Sequence, residues 1–219
     1  MAALSALVSC GTEDDVLYYG GRSMAEVSSG SLLTDNGQIF NVTEQLCQGQ
    51  IDTMSRVFIY YDVLKKTDGG QSNEYDIRLR QLYPALKKAY VPVSTDLTND
   101  PVSPDLVWES GGYLNMGISF ERRLGSTRAH TLDLGYDEAK STSDSLFFHI
   151  FHNSFGESYF RDPEAKDLYS GGAYVSFDIK GLLSGKESAV ITIFWNGYDL
   201  SSSESVATKE YKFEGLWKK

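Results

Sequence analysis

A stretch of alternating residues that follows two glycines constrains the fold of this chain more than any other feature. Between positions 113 and 120 every second residue is apolar, namely Leu114, Met116, Ile118 and Phe120. A repeat of two is the pattern of a β-strand that buries one face and exposes the other. Trp108 lies just upstream, where its large ring can close the end of a hydrophobic core. The stretch therefore predicts a strand packed on the core of a β-sheet domain.

The same alternation continues through the C-terminal half of the chain. It recurs in five further segments, at residues 130–134, 145–152, 173–179, 189–195 and 211–213. Short strands separated by turns are typical of two sheets packed face to face. We therefore predict an antiparallel β-sandwich over residues 105–219, with a polar loop at residues 153–171.

Residues 22–93 have the features of a small closed barrel of five strands. Asp35-Asn36-Gly37 predicts a tight hairpin, because Asn-Gly accepts the positive φ of a two-residue turn. The stretch 56–64 is apolar on both faces apart from one aspartate, as a central strand of a barrel requires. Pro84 and Pro92 exclude a central ladder position for the chain that follows. The succession resembles the OB-fold, in which one strand face binds oligosaccharides or oligonucleotides.

The barrel and the sandwich are separated in sequence by residues 94–104, a stretch rich in Ser, Thr, Asp, Asn and Pro. Such a composition is typical of a boundary between domains. The 14 Tyr, 11 Phe and 20 Gly of the chain favour strands and turns over helices. The sequence therefore predicts an all-β protein, in which an OB-like five-strand barrel is followed by a β-sandwich.

The first 21 residues contain a signal for lipid attachment and an acidic linker. Leu7-Val8-Ser9-Cys10 has the form of a bacterial lipobox, so we expect the Cys10 thiol to be acylated and to anchor the chain to a membrane. Residues 1–9 lack Lys and Arg and are shorter than a complete signal peptide, so we expect the true start to lie upstream of Met1. No stretch approaches the roughly 20 apolar residues of a spanning helix.

Glu13-Asp14-Asp15 follows the predicted attachment site directly. An acidic cluster at this place resembles the signal that directs some lipoproteins to the outer face of the outer membrane. The alternative is a solvated linker beside the membrane. We therefore predict an outer-membrane lipoprotein of the cell envelope that is exposed at the cell surface.

The distribution of charge excludes nucleic acid as a partner. The net charge is −10, and residues 91–219 carry 19 acidic and 12 basic side chains. A protein that binds nucleic acid needs clustered Lys and Arg to neutralise phosphates. The acidic second half contains no such basic stripe.

The sequence contains no pattern of nucleophilic catalysis. A serine hydrolase often places its nucleophile in a G-x-S-x-G turn, and the nearest stretch, residues 156–160, lacks the final glycine. With Cys10 acylated, Cys47 is the remaining thiol, and its spacing from the three histidines suggests no pairing. We therefore predict no catalytic residue and no enzymatic activity.

The sequence also predicts no metal site and no cofactor. His149 and His152 are three residues apart on a predicted strand, where an odd separation places the two rings on opposite faces. Asp96, Asp100 and Asp105 could offer oxygen ligands to Ca²⁺, but their spacing matches no known calcium loop. Structural histidines and solvated carboxylates are the favoured interpretation.

Three aromatic residues are candidates for contact with a ligand or partner. Trp108, Tyr113 and Tyr174 fall off the predicted core face of their strands. Exposed rings beside Asp or Asn suit the apolar face and the hydroxyl rim of a sugar. The alternative is that these rings face the neighbouring domain.

Several short motifs occur together in a characteristic order. These are the lipobox, DNG followed by RVFIYYD, then WESGGYLNM, HTLDL, FFHIFHN and VSFDI. The combination resembles the NigD-like lipoproteins of anaerobic gut and oral bacteria, over nearly the whole chain from Cys10 to about Trp195. The resemblance implies an N-terminal OB domain and a C-terminal β-sandwich, and it implies no known activity and no catalytic residue.

The predicted function combines the anchor with the two β-domains. We expect a lipid-anchored envelope protein without catalytic activity, which acts as a binding or accessory module for a glycan or another envelope protein. The founding member of the family resembles a product of a bacteriocin gene cluster. The alternative is therefore a bacteriocin-immunity-type protein.

Overall fold

The structure is a computed structural model that describes residues 17–67, 72–201 and 207–219. The predicted acylation site Cys10 and the acidic cluster lie outside these residues. The described residues form two short helical turns, a 3-10 turn at Ile51–Thr53 and α1 at Lys180–Leu183, and thirteen strands: β1 Tyr18–Ser28, β2 Ser31–Thr34, β3 Ile39–Gln45, β4 Arg56–Lys66, β5 Glu74–Ala89, β6 Val91–Pro92, β7 Ser103–Ser110, β8 Tyr113–Arg123, β9 Thr131–Tyr136, β10 Ser145–Asn153, β11 Leu168–Asp178, β12 Ser188–Tyr198 and β13 Thr208–Lys218. Within this part of the chain, no helix is long and apolar enough to cross a membrane. The prediction of an all-β protein is confirmed.

The first five strands form a closed barrel. They pair in the order β3-β2-β1-β4-β5, and a parallel pairing between β3 and β5 closes the ring. The interior is filled by apolar side chains from all five strands, among them Phe40, Ile59 and Leu79. Gly37 has a φ of 75°, which fits the hairpin predicted at this position. The predicted five-strand barrel is confirmed.

The remaining strands form a sandwich whose first sheet continues the barrel. The end of β5 pairs with β11, followed by β8 and β7, and the second sheet has the order β13-β12-β10-β9-β6. The two sheets enclose a core that includes Met116, Ile118, Phe148 and Phe177, all of them buried. The predicted strand after the two glycines is β8, in the middle of the first sheet. The predicted β-sandwich is confirmed.

The sandwich is a mixed one, which corrects the prediction of purely antiparallel strands. The pairs β5–β11, β10–β12 and β6–β9 are parallel. The chain leaves β10, crosses to β11 in the opposite sheet, and returns through α1 to β12. A parallel pair requires a crossover connection of this kind. Alternation of apolar residues reports which face of a strand is buried, and it carries no information about strand direction.

The barrel and the sandwich share strand β5. Its first part pairs with β3 and β4, whereas residues 85–89 pair with β11. The stretch 94–104, predicted as a linker, is irregular, but Asp100 and Val102 are almost completely buried within it. Ser, Asp and Pro indicate irregular backbone, and they do not indicate whether that backbone is exposed. The two halves are therefore joined by a continuous strand as well as by this segment.

Candidate functional site

The outward-facing side of β4 forms the contact between the barrel and the sandwich. Arg56, Phe58 and Tyr60 lie on this side, because residues two apart on a strand share a face. Arg56 is only 1% exposed, although it is the largest fully buried side chain of the protein's described part. A buried guanidinium requires partners for its donors and its charge. The sandwich supplies most of them.

Arg56 is held by polar groups from two strands of the sandwich, β8 and β11, and from one turn of the barrel. Its Nε donates to Ser176 Oγ at 2.8 Å, and its Nη2 donates to Asp35 Oδ2 at 2.7 Å and to Asn115 Oδ1 at 3.1 Å. The Tyr113 ring lies over the guanidinium, with the ring centroid 4.0 Å from Cζ. This is a charge-assisted network with an added cation–π contact. It fastens the barrel to the end of the sandwich.

The three predicted contact residues all lie at this junction. Tyr113 is 3% exposed, and its hydroxyl donates to Glu26 Oε1 at 2.7 Å. The rings of Trp108 and Tyr174 pack on Phe58, with centroid distances of 5.6 Å and 4.5 Å. The structure therefore places these rings against the barrel, which is the alternative stated for them above. Tyr113 has no free ring face, whereas Trp108 and Tyr174 are half-buried.

A shallow hollow adjoins Tyr174 on the outer surface of the junction. We call it the junction groove; it has a volume of about 360 Å³ and is lined by Tyr83, Asp105, Leu106 and Gly117, among others. Trp108 lines a different hollow of about 240 Å³, together with Phe213 and Trp217. The predicted contact residues thus do not converge on one site.

A larger cleft lies further along the sandwich and shares Ser119 with the junction groove, and we call it the end cleft. Its volume is about 480 Å³. One wall consists of aromatic side chains from β12 and β13, and the other wall comes from β8 and the segment before β7. The described lining residues are Pro101, Val102, Ser103, Ser119, Phe120, Glu121, Ser170, Trp195, Gly197, Tyr198, Leu200 and Tyr211.

The aromatic wall of the end cleft is locked in place by local geometry. Trp195 and Tyr211 are opposite each other on β12 and β13, and their rings are nearly parallel, with centroids 5.8 Å apart and an interplanar angle of 13°. The Tyr211 ring lies across Gly197, where a Cβ would come within 2.9 Å of it. The Tyr211 hydroxyl donates to the Tyr198 carbonyl oxygen at 2.7 Å. These contacts hold the Tyr211 ring in one orientation.

The polar part of the cleft is centred on Glu121. Its Oε2 accepts hydrogen bonds from the Tyr198 hydroxyl and from the Tyr159 N–H, the latter at 2.8 Å. Burial and the neighbouring carboxylate raise the pKa of Tyr198, so that its hydroxyl stays protonated and continues to donate. None of the described lining residues is Lys or Arg. The cleft is therefore acidic and aromatic in character.

A buried network of histidines supports the wall of the cleft from behind. His152 Nδ1 is 3.1 Å from the carbonyl oxygen of Pro101, and His152 Nε2 is 3.0 Å from His130 Nδ1. His130 Nε2 lies 3.3 Å from Glu157 Oε2. The Phe120 ring packs on both imidazoles, with centroid distances of 5.1 Å and 5.3 Å. Pro101 and Phe120 also line the cleft, so the network and the cleft are in direct contact.

The hydrogen bonds determine where the protons of this network lie. A carbonyl oxygen only accepts, so His152 Nδ1 carries a proton toward Pro101 and Nε2 is free to accept one from His130 Nδ1. Burial, followed by the neighbouring His130, lowers the pKa of His152 to about 4, which keeps that ring neutral. His130 connects His152 to the carboxylate of Glu157, with its Nε2 3.3 Å from Glu157 Oε2.

Two buried carboxylates complete the network, Glu157 in the loop between β10 and β11 and Asp100 in the segment before β7. Burial alone would raise the pKa of Glu157, but hydrogen bonds from Ser126 and the Arg123 N–H, together with His130, outweigh it and hold that pKa below its ordinary value. For Asp100 burial is again the largest effect, and hydrogen bonds from Ser154 and Arg161 reverse it, so its pKa is lowered. Both carboxylates are therefore ionised and fully engaged.

Two of the arrangements considered from the sequence, a nucleophile–histidine pair and a metal-ligating cluster, are not formed among the described residues. In this part of the chain no serine or cysteine side chain forms a hydrogen bond to a histidine, and no three His, Cys, Asp or Glu side chains are grouped so as to hold a metal ion. Burial raises the pKa of the Cys47 thiol, which disfavours the reactive thiolate. His149 and His152 lie on opposite faces of β10, and His149 stacks on Phe194 instead.

Sequence reasoning placed Trp195 in a strand but missed the cleft that it helps to form. Tyr198 and Tyr211 were not recognised as candidates either. One local signal was available, since Gly197 interrupts the alternation of β12 between two aromatic residues. A glycine inside a strand often marks the close approach of another group, and here that group is the Tyr211 ring.

The fold defines a class of two-part β-proteins, in which a closed five-strand barrel and a mixed β-sandwich share one long strand. Residues 87–211 match the NigD-like C-terminal beta sandwich domain, which is more than half of the 219 residues. The chain belongs to the NigD-like family. The sequence matches no curated protein.

Solved structures with the same fold come from several species of Bacteroides. A NigD-like immunity protein of Bacteroides caccae is 17% identical with a TM-score of 0.62, covering 91% of this chain and 97% of its own. A protein of unknown function from Bacteroides vulgatus is 20% identical with a TM-score of 0.62, covering 90% of each chain. A candidate lipoprotein of Bacteroides fragilis is 18% identical with a TM-score of 0.55, covering 88% of this chain and 96% of its own. At these identities the likeness concerns the fold alone.

Proposed function

We propose that this protein is a lipid-anchored envelope protein that acts without catalysis, as a binding or accessory module for a glycan or another envelope protein. The end cleft is its proposed binding site. One observation carries this proposal: both walls of the cleft are held rigid, the aromatic wall by Gly197 and the Tyr211 hydrogen bond, and the opposite wall by the buried histidine network. A rigid concave surface with few polar groups is typical of a binding site, because little entropy is lost when a ligand is bound.

The location of the buried charges supports the same site. Burial of ionised groups costs stability unless every group is paired. Arg161 pairs with Asp100, and His130 lies beside Glu157, directly behind the cleft wall. Perturbed ionisable groups beside a cleft are a recognised indication of a functional site. The junction groove beside Tyr174 is shallower, and it remains a secondary proposed contact surface.

The proposed anchor predicts how the precursor partitions between detergent and water. We expect the wild-type precursor, produced in a host that exports lipoproteins, to enter the detergent phase of a phase-separation assay. The variant Cys10→Ala should stay in the aqueous phase, because it has no thiol to acylate. Support comes from the lipobox and from the fold shared with the Bacteroides fragilis candidate lipoprotein. Wild-type protein recovered entirely in the aqueous phase would contradict the anchor.

The proposed binding site predicts a difference between two sets of tyrosine variants. The bait is the full chain with Cys10→Ala, which keeps it in solution, immobilised and exposed to solubilised envelope from the source bacterium. We expect bound envelope material to decrease by about tenfold in Tyr211→Ala, because the variant removes half of the aromatic wall. The matched control is Tyr19→Ala, since Tyr19 is exposed on β1 of the barrel and lines none of the three hollows. Equal retention by all three baits would contradict the end cleft as the binding site.

A bacteriocin-immunity role is the second candidate. The similar structure of the NigD-like immunity protein from Bacteroides caccae favours it. Such a role predicts that the gene lies beside a bacteriocin gene and that its expression protects a sensitive strain. Loss of protection in cells that express Cys10→Ala would show that protection depends on the anchor. Genes for glycan uptake in that neighbourhood would favour the binding module instead.

A further inference from the structure

We propose that the end cleft binds a neutral oligosaccharide, an inference that rests on the proposed function and names the ligand class for its site. Sugars present an apolar face of C–H groups and a rim of hydroxyls. A site for them therefore combines a flat aromatic surface with acceptors and donors at its edge. The end cleft has both parts, on opposite walls.

The aromatic part is built around one stacked pair. The rings of Trp195 and Tyr211 lie within 13° of parallel with centroids 5.8 Å apart, so they form an offset stack on two adjacent strands. Phe120 and Tyr198 also line the cleft, so its aromatic lining is larger than a single sugar ring needs, which favours an oligosaccharide over a monosaccharide. Both rings are half-buried, so each is supported by the core on one side and accessible on the other.

The polar part selects hydroxyl groups rather than charged ones. Glu121 is the charged residue among the described lining residues, and three serines, Ser103, Ser119 and Ser170, lie along the same wall. A carboxylate and hydroxyls accept hydrogen bonds from sugar hydroxyls. Lys209, the cation nearest to Tyr211, is paired with Asp199 at 2.7 Å. An anionic ligand would thus meet the carboxylate of Glu121 and no Lys or Arg among the described lining residues. This disfavours phosphorylated sugars and uronic acids.

The size and rigidity of the cleft fit a ligand of this class. Its volume of about 480 Å³ lies within the range of roughly 300–1,000 Å³ that is typical of ligand pockets. The wall opposite the aromatic rings is formed by Phe120 and Pro101, both of which contact the histidine network. A site that is ordered before binding loses less entropy on binding.

The experiment titrates the full chain carrying Cys10→Ala with maltohexaose, cellohexaose, xylohexaose and mannohexaose, and with polygalacturonate as the anionic probe. Binding is measured by calorimetry and by tryptophan fluorescence, since Trp195 lines the cleft. We expect at least one neutral hexasaccharide to bind and polygalacturonate not to bind. Tyr211→Ala should weaken that binding by about tenfold or more, and Tyr19→Ala should leave it unchanged.

A second variant distinguishes loss of binding from loss of folding in Tyr211→Ala. Ser170 is exposed and lines the cleft, so Ser170→Arg fills the cleft from the surface without disturbing the core. It should abolish binding while the melting temperature stays that of the parent. Absence of binding by all four neutral probes overturns the inference, as does binding that Ser170→Arg leaves intact or binding of polygalacturonate alone. If envelope material is still captured in a Tyr211-dependent manner while the sugars fail, the proposed function stands and only the ligand class is overturned.

Discussion

Arg56→Ala is expected to lower the free energy of unfolding by about 3–5 kcal/mol, because it leaves a buried carboxylate without its partner. Asp35 Oδ2 accepts from Arg56 Nη2 at 2.7 Å, and the Asp35 side chain is only 4% exposed. The substitution also removes the guanidinium that Tyr113 covers and leaves a cavity between the barrel and the sandwich. Urea melts of the full chain at pH 7.5 measure the loss.

Two further variants separate the network from a general effect of losing an arginine. Arg22→Ala is the matched control, since Arg22 is exposed on β1, and its change should stay within roughly 0.5 kcal/mol. In a double-mutant cycle, Asp35→Ala combined with Arg56→Ala should cost less than the sum of the two single changes, because neither charge is then stranded. Additive losses would mean that Arg56 and Asp35 are not coupled, and would contradict the network.

The same network predicts that the protein unfolds in one transition. Arg56 belongs to the barrel, whereas Ser176 and Asn115 belong to the sandwich. Strand β5 also takes part in both. A contact that stabilises both halves at once links their unfolding, and Arg56→Ala is the variant in which the two halves would separate.

Acidification from pH 7 to pH 4.5 is expected to destabilise the protein by about 2 kcal/mol through His152 alone. The pKa of His152 is lowered from 6.5 to about 4 in the folded protein, so the folded state holds this ring neutral. The unfolded chain takes up the proton as the pH falls below about 6.5, and the folded chain does so only near pH 4. Stability is therefore lost as the pH falls through this window and is regained above it.

The buried carboxylates act in the same direction. The pKa values of Asp100 and Glu157 are lowered in the folded protein, so the stability that they contribute is present at neutral pH and lost as the pH falls through their folded pKa values. The charged groups that face the two carboxylates are the guanidinium of Arg161, which pairs with Asp100, and that of Arg123, which lies near Glu157. The combined effect is therefore larger than that of His152.

Urea melts at pH 7.5 and pH 4.5 test this acid sensitivity. His152→Phe should be less stable at pH 7.5, because the bond to Pro101 is lost, but its stability should change less between the two pH values. His149→Gln should remove a smaller part of the acid effect, since the His149 side chain is 20% exposed. An unchanged pH dependence in His152→Phe would contradict the proton assignment.

Alternation by itself determined most of the strands and the faces that they bury. In β10 every second residue from Leu146 to His152 is buried, as the pattern at residues 145–152 requires. The Asp35-Asn36-Gly37 turn and the apolar stretch at residues 56–64 likewise appear where the sequence predicts them. These are local properties, because a strand with one apolar face must cover it wherever it lies in the fold.

Only the tertiary structure decided which side chains meet. Arg56 and Ser176 are 120 positions apart and share a hydrogen bond, and Trp195 meets Tyr211 only because β12 and β13 pair in that register. A periodic pattern shows that a face is covered, but the residue that lies opposite depends on the order and direction of the strands. For this reason the sequence predicted the barrel and the sandwich. The buried Arg56 network, the histidine network and the end cleft depend on the order and direction in which the strands pair, which local patterns do not contain.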